Sequence, residues 1–412
     1  MDKLFASVGG LDVHQATIAA CRRRMIDSRR SEKEVRTFGT MTPDLLALAD
    51  WLAEWGVTHV AMESTGVYWK PVFNILESQF EIVLANAQHI KQVPGRKTDV
   101  KDCEWIAQLM MHGLIRPSFI PPLPIREMRD LVRSRSKIVH DRQAVINRMH
   151  KVLQDANIKL TSVASDIMGV SGRRMMMALI NGETDPEVLA ELSKAALRNK
   201  IPELQKALKG NFTDHHRFLL GELNRQAQFL EEEIERFGAR LEVVAPPFQK
   251  ELDLLMGIPG IQLRSAQNLL AEIGADMSHF PTSAHLASWA GICPGNSESA
   301  GKRKTGKTPG GNRWLRSFLT EAAWAATRSK KSYYRALYQR IVGRRGKKRA
   351  LVAVAHAILV AIYHMFKNGV VHQDLGPEHF NRMDTKRLTR YYSKRLERLG
   401  FTVTITPIEE AA

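Results

Sequence analysis

A seven-residue repeat in the middle of the chain restricts its possible folds more than any other feature. Leu223, Leu230, Phe237 and Val244 recur at intervals of seven, and Leu220, Ala227, Ile234 and Leu241 repeat that interval three residues earlier. Two apolar positions per heptad over about four heptads describe one long helix with a continuous seam, which has to be buried against another helix. A second long helical pattern, "REMRDLVRSRSKIVHDRQAVINRMHKVLQDA", places Met128, Leu131, Ile138, Val145, Met149 and Val152 at apolar positions. An intramolecular helical hairpin and a dimerising coiled coil would each bury the seam, and spacing leaves both open.

Residues 1–119, ahead of this region, alternate strand and helix signals. "ASVGGLDVHQATIAACRR" reads as two strands around a polar turn. "TPDLLALADWLAEWG" reads as a helix capped by Thr42, with Pro43 at its first position and Gly56 closing it. "VTHVAMES" and "FEIVLAN" are short apolar strands of the buried kind, and "KTDVKDCEWIAQLMMHG" is again helical. The Pro-rich "RPSFIPPLPI" (Arg116–Ile125) marks a boundary. The expected architecture is an α/β domain over 1–119, a helical or coiled-coil region over 120–249, a mainly helical domain over 250–370 and a basic tail over 371–412. In the third region, "LLMGIPGIQLRSAQNLLAEIG" resembles a helix-hairpin-helix element, whose turn amides meet a DNA phosphate. Gln262 stands where that element usually has its second glycine. The apolar run Ala350–Phe366 is short for a membrane span and contains His356 and His364, so a buried core helix is expected.

Charge points to the partner. Sixty Lys and Arg against 43 Asp and Glu give a formal net charge of +17. Between Ala300 and Arg349 there are 16 Lys or Arg and a single acid, Glu321. Such a window repels itself unless an anion neutralises it, and nucleic acid is the expected partner. Cys21, Cys103 and Cys293 form no CxxC pair, which fits a reducing cytoplasm and argues against structural zinc. "MDKLFASVGG" lacks the apolar run of a signal peptide, and no membrane partner is expected.

Four carboxylates occupy positions where an α/β domain can build a metal site. Asp12 lies in the first strand, Glu63 at the end of "HVAMEST", and Asp99 and Asp102 share the helix start "TDVKD", where a spacing of three puts them on one face. Carboxylates so placed can converge on two Mg²⁺ ions, which activate one oxygen and stabilise the other in phosphoryl transfer. Taken singly, each acid could be a turn residue, a solvated strand end or a favourable helix-dipole charge. Their order is that of ribonuclease-H-like nucleases, including junction resolvases of the RuvC type.

The stretch from Gly301 to Thr308, GKRKTGKT, satisfies the phosphate-loop pattern of nucleotide-binding proteins. Such a loop has to follow a strand and open directly into a helix. Here "CPGNSES" precedes it and Pro309-Gly310-Gly311 follows at once, with Pro309 biasing Thr308 away from helix. A flexible glycine-lysine loop ahead of a helix capped by Asn312 is expected instead, and nucleotide binding is not.

With these motifs assembled, the chain closely resembles the DEDD-type transposases encoded by bridge-RNA-guided bacterial insertion sequences. The carriers are "GLDVHQ", "AMESTGVYWKPV", "KTDVKDCEWIAQL", "GIPGI" and "WAGICPGNSESAGKRKTGKTPGGNRWLR", over roughly residues 5–120 and 250–370. The resemblance implies a RuvC-like domain whose Asp12, Glu63, Asp99 and Asp102 hold Mg²⁺. It also implies a C-terminal transposase domain whose serine forms a covalent link to DNA; the motif carries this role to Ser299 in "SAGK", with Ser297 as the alternative. Lys302, Arg303, Lys304, Lys307, Arg313 and Arg316 are the expected nucleic-acid contacts, since phosphoryl transfer needs its charge neutralised. The implied partners are donor and target DNA, a structured guide RNA and further copies of the chain, at the bacterial nucleoid. Rival readings are a metal-dependent nuclease or junction resolvase in which water attacks, and a nonenzymatic nucleic-acid-binding protein.

Overall fold

The computed structural model describes residues 4–27, 30–64, 66–86, 90, 102–295, 297–299, 302–305, 308–380 and 385–405, with only the backbone described at 297–299, 302–305 and 385–388. The chain divides into two compact units, Met1–Ile120 and Pro121–Ala412. The first is a mixed α/β unit compatible with the ribonuclease-H-like fold; the second is mainly helical.

Five strands form the sheet of the first unit: β1 (Ser7–Val13), β2 (Thr17–Met25), β3 (Ser31–Gly39), β4 (His59–Glu63) and β5 (Glu81–Ala85), in the order β3-β2-β1-β4-β5. β1–β2 and β2–β3 are antiparallel, while β1–β4 and β4–β5 are parallel. Strand alternation divides the apolar residues between two faces. Leu11, Val13, Val60 and Met62 pack with helices α1 (Thr42–Ala53) and α2 (Trp69–Leu76). Val8, Cys21 and Ala61 pack with helix α3 (Asp102–Met111). Covering both faces explains why the central strands read as continuous apolar runs.

Helix α1 starts one residue earlier than the capping pattern implied. Met41 is the N-cap, so Thr42 and Pro43 both lie inside the first turn, and Asp44 accepts from the Met41 amide at 3.3 Å. The edge strand β3 and helix α2 had no clear sequence signal. β3 consists largely of charged residues whose partners lie across the register: Glu34 opposite Arg22 and Glu32 opposite Arg24, both ion-paired. Arg22 is buried between the rings of Trp51 and Trp55, at 4.4 and 4.5 Å, with Glu34 and Glu54 holding its guanidinium. On the other edge, Ala85 of β5 bridges to Pro117, and the Ser118 amide donates to Leu84 at 2.7 Å.

In the second unit, helices α4 (Leu123–Asp155) and α8 (Asp214–Val244) pack antiparallel. Arg142 pairs with Glu231, Arg148 reaches Gln226 at 3.2 Å, and Asp155 meets His216 at 3.1 Å. Leu220, Ala227, Ile234 and Leu241 are buried, whereas Leu223, Leu230, Phe237 and Val244 are only half-buried. The intervening residues, irregular in sequence, form α5 (Val170–Ile180), α6 (Pro186–Glu191) and α7 (Ile201–Leu208). These add Met175, Leu179, Leu189 and Leu204 to the core beside Met149 and Leu153.

Beyond them lie α9 (Gln249–Met256), α10 (Leu263–Ile273), α11 (Ser283–Ala290), the hairpin β6 (Ser297–Ser299) and β7 (Lys302–Thr305), α12 (Arg313–Ala326), α13 (Tyr333–Arg345), α14 (Lys347–Asn368) and α15 (Thr385–Arg398). The apolar run Ala350–Phe366 falls within α14, which is long and apolar enough to cross a membrane by length and composition. Here it packs against α9, α11, α12 and α13, and the Tyr363 hydroxyl reaches the Phe280 and Pro281 carbonyls at 3.0 Å each. The Gly-Ile-Pro-Gly-Ile turn joins α9 to α10 and rests on the end of α12: a Cβ on Gly260 would lie 2.4 Å from the Ala326 amide nitrogen. Its glycine therefore serves close packing within the protein.

Candidate active site

Strand register brings the first two acids together. The parallel pairing of β1 and β4 runs from Val8 opposite His59 to Leu11 opposite Met62. Continued by one step, that register would set Asp12 beside Glu63 near the C-terminal ends of neighbouring strands, on the same face, at the inter-strand spacing of about 4.8 Å. Helix α3 covers that face. Gly10, two residues before Asp12, has no room for a side chain, because a Cβ would lie 2.3 Å from the Ala107 nitrogen and 2.4 Å from the Cys103 carbonyl. Asp102 is exposed and stands first in the described part of α3, the helix that packs on the β1 face bearing Asp12. Asp99 lies outside the described residues.

Asp12 has 25% of its side chain exposed, and its Oδ2 lies 3.2 Å from Nε2 of His14. His14 was not singled out from sequence, although it stands in "GLDVHQ". Among the described residues, no group of three or more His, Cys, Asp or Glu is arranged to hold a metal ion. The donor chemistry still fits a hard divalent cation: carboxylates on adjacent strand ends repel one another, and a cation between their oxygens removes that repulsion.

The serine segment is a short antiparallel hairpin, where a flexible loop had been expected. Ser299 pairs with Lys302, Glu298 with Arg303 and Ser297 with Thr305, with an irregularity between Ser297 and Glu298. Ser299 thus ends β6 directly opposite the start of β7, which also carries Lys304. Lys307 lies outside the described residues. Thr308 to Asn312 is non-helical, and α12 starts only at Arg313, so no helix opens on the Gly-Lys-Thr step. Arg313 is exposed above the Trp314 ring at 5.4 Å, and Arg316 is half-buried with its guanidinium 3.5 Å from the Thr308 hydroxyl.

The neck of this segment is tightly built. Asn312 caps α12, its Oδ1 accepting from the Trp314 and Leu315 amides at 3.0 and 3.2 Å. Its Nδ2 donates to Oε2 of Glu272 at 2.5 Å. The Glu272 side chain is fully buried and takes a two-pronged contact from Arg133 at 2.7 and 2.8 Å. Arg129 donates to the Ala271 and Glu272 carbonyls, and Arg135 to the side chains of Gln267 and Asn268. Burial pulls Arg129 and Arg135 each down to about 10, which leaves both charged at neutral pH. Nothing in the sequence marked Glu272; its partners are Arg133, 139 residues before it, and Asn312, 40 residues after it.

A further cationic group surrounds Gly346, where α13 turns into α14. Arg344, Arg345, Lys347, Lys348 and Arg349 are all exposed, and none forms an ion pair among the described residues.

One unit thus carries strand-end acids on the face that a helix covers, and the other a serine hairpin followed by basic residues. Comparison with known proteins identifies the family. Residues 9–158 match a family described as transposase, of the DEDD IS110 type, and residues 252–339 match the transposase IS116/IS110/IS902 family. The chain is 24% identical over 376 residues to the transposase for insertion sequence element IS1111A of Coxiella burnetii, covering 84% of this chain and 93% of that one. It is 25% identical over 325 residues to a probable family 20 transposase of Pseudomonas aeruginosa, covering 78% and 80%. Over 128 residues it is 32% identical to an uncharacterized 43.6 kDa protein of insertion element IS110 in Streptomyces coelicolor, covering 30% and 31%. The chain belongs to the IS110-type DEDD transposases. Membership implies DNA as substrate and, in general, use of a divalent metal.

Proposed function

We propose that the chain is an RNA-guided recombinase that cuts and rejoins DNA through a phosphoserine link at Ser299. The observation that carries this reading is the hairpin, in which Ser299 stands opposite Lys302, one step from the Glu298–Arg303 pair, in a segment whose neck is held shut at Gly291 and Gly311. In the reaction, Ser299 Oγ bonds to the phosphorus of a DNA phosphodiester, the bond to the leaving strand breaks, and that strand's oxygen takes a proton. Rejoining reverses the exchange with a new strand, so the ester bond energy is conserved and no ATP is required. Lys302, Arg303, Lys304, Lys307, Arg313 and Arg316 neutralise the transferring phosphate. Mg²⁺ held by Asp12, Glu63, Asp99 and Asp102 would supply Lewis-acid stabilisation of charge on oxygen.

The division into a RuvC-like metal domain (1–119), a helical region (120–249), a transposase domain (250–370) and a basic tail belongs to this proposal, as do the guide RNA, a homo-oligomeric assembly and a cytoplasmic, nucleoid-associated setting. Leu223 and Leu230 on α8 pack against this chain's own core, which leaves the half-buried Phe237 and Val244 as the part of the row that a coiled-coil contact with a second copy would use.

A second reading, a metal-dependent nuclease or resolvase, is favoured by Asp12 and Glu63 lying one step beyond the paired register of β1 and β4, within a unit of their own. Purified protein, Mg²⁺, co-purified RNA and donor DNA separate the two. The recombinase reading expects a covalent protein–DNA adduct that Ser299→Ala abolishes, and cleavage that survives this change would sink it. Asp12→Ala should abolish transposition in cells; full retention would point to a nonenzymatic binder.

A further inference from the structure

We propose that the Arg133–Glu272–Asn312 contact is a positioning device that holds the serine hairpin in register for strand transfer. The proposal rests on the serine reading above. A fully buried carboxylate is expensive to desolvate, and an apolar cluster of similar volume would stabilise the fold as well or better. The retained charge therefore calls for a reason other than stability, and its contacts supply one.

Capping α12 requires only an acceptor, which Ser, Thr or Asp would provide equally well. Linking the cap to Glu272 requires a donor on the same side chain, and Asn has both. With Nδ2 on Glu272 and Oδ1 on the Trp314 and Leu315 amides, the Asn312 amide has one permitted orientation. Arg133 fixes the carboxylate in turn through two parallel bonds, so α4, α10 and the start of α12 are locked to one another. Immediately before Asn312, the backbone of Gly311 lies against Gly291, which closes α11 with φ +68°. Both ends of the segment bearing Ser299 are thus fixed at one point. Arg133, Glu272 and Asn312 act through Ser299 and the phosphate-binding cations as positioning residues.

The test uses the full chain with its co-purified RNA and a plasmid carrying both ends of its element. It measures the rate of covalent adduct formation at saturating DNA, DNA affinity and thermal unfolding. Asn312→Ser keeps the cap and cuts the link to Glu272. Its adduct rate should fall about tenfold or more, because misplacement by about 1 Å from a distant change can cost about 10²-fold. Affinity should stay within about twofold of the parent. Asn312→Asp sets a second carboxylate against Glu272 and should be slower still. Combining it with Glu272→Gln leaves one buried carboxylate and removes the repulsion, so it should recover rate relative to Asn312→Asp alone while staying below the parent, because a Gln amide cannot accept both Arg133 bonds. A parent-like rate in Asn312→Ser, or a folded double variant no faster than Asn312→Asp, overturns the positioning role. Adduct persisting in Ser299→Ala overturns the serine reading and this proposal with it; adduct lost there but unchanged in Asn312→Ser overturns the positioning role alone.

Discussion

Gly291 and Gly311, twenty residues apart, touch backbone to backbone: a Cβ on Gly311 would lie 2.5 Å from the Gly291 nitrogen, and one on Gly291 would lie 2.9 Å from the Gly311 Cα. Neither site can accept a side chain without parting the neck of the serine hairpin. Gly311→Ala should cost about 1–3 kcal/mol as overpacking. Gly291→Ala adds strain at positive φ and should cost more. Urea unfolding of both, beside Gly310→Ala, whose Cβ meets nothing within 4 Å, checks the assignment. Equal midpoints for all three would contradict it.

Gly10→Ala should disable the acidic site from behind. Its Cβ would collide with the backbone of α3 at Ala107 and Cys103 and push α3, Asp102 included, away from the strand that carries Asp12. At Gly9, on the opposite face, a Cβ would meet only the side chains of Leu52 and Val60, at 3.1 and 3.3 Å, which can adjust. Metal-dependent DNA cleavage should be lost in Gly10→Ala and largely kept in Gly9→Ala.

Glu231 bridges Arg142 and Arg173 between α8, α4 and α5. Burial alone would raise its carboxyl, but the Arg173 and Arg142 contacts outweigh burial and hold it below its ordinary value of 4.5. A depressed carboxylate stabilises the fold above its unfolded-state value, and that contribution is lost as pH falls below about 4.5. Glu231→Gln should therefore melt earlier than the parent at pH 7, with the gap closing as the solution is acidified through that range. A gap constant from pH 7 to pH 3 would refute the linkage.

Thiol chemistry should single out one cysteine. Burial, and then the neighbouring Cys103, push the Cys21 thiol up to about 12, so it stays protonated near neutral pH. Cys103 is buried as well, and Cys293 is partly exposed. A disulfide reagent at pH 8 should titrate Cys293 quickly and the other two only after denaturation; rapid loss of two or three thiols from the folded protein would contradict this.

Salt should report on the cationic turn at Gly346. If each of Arg344, Arg345, Lys347, Lys348 and Arg349 meets a DNA phosphate, changing all five to Gln should flatten the log–log salt dependence of binding by about 4–5 units. An unchanged slope would mean that the DNA passes elsewhere.

Legibility in the sequence followed locality. β1, β4 and α3 were visible because burial on both faces writes apolar runs and helical spacing directly into the chain, and Asp12 and Glu63 could be placed because they end such strands. β3 was missed because its partners, Arg22 and Arg24, neutralise it from another strand, leaving a polar stretch that resembles a loop. The heptad seam was evident, but only the structure shows that the Leu220 row is buried in this chain while the Leu223 row is half-covered. Glu272 was unreadable for the same reason as β3: its meaning lies in Arg133 and Asn312, both distant in sequence.

The two edges of the five-stranded sheet carry a consequence for life in a crowded cell. One ends in β3, where Glu32, Lys33, Glu34 and Arg36 alternate sign, and the other is closed by the bridge from Ala85 to Pro117. Charge on one flank and proline on the other discourage any further strand from adding to the sheet. Nascent copies accumulating side by side are thereby kept from sticking to one another through this sheet.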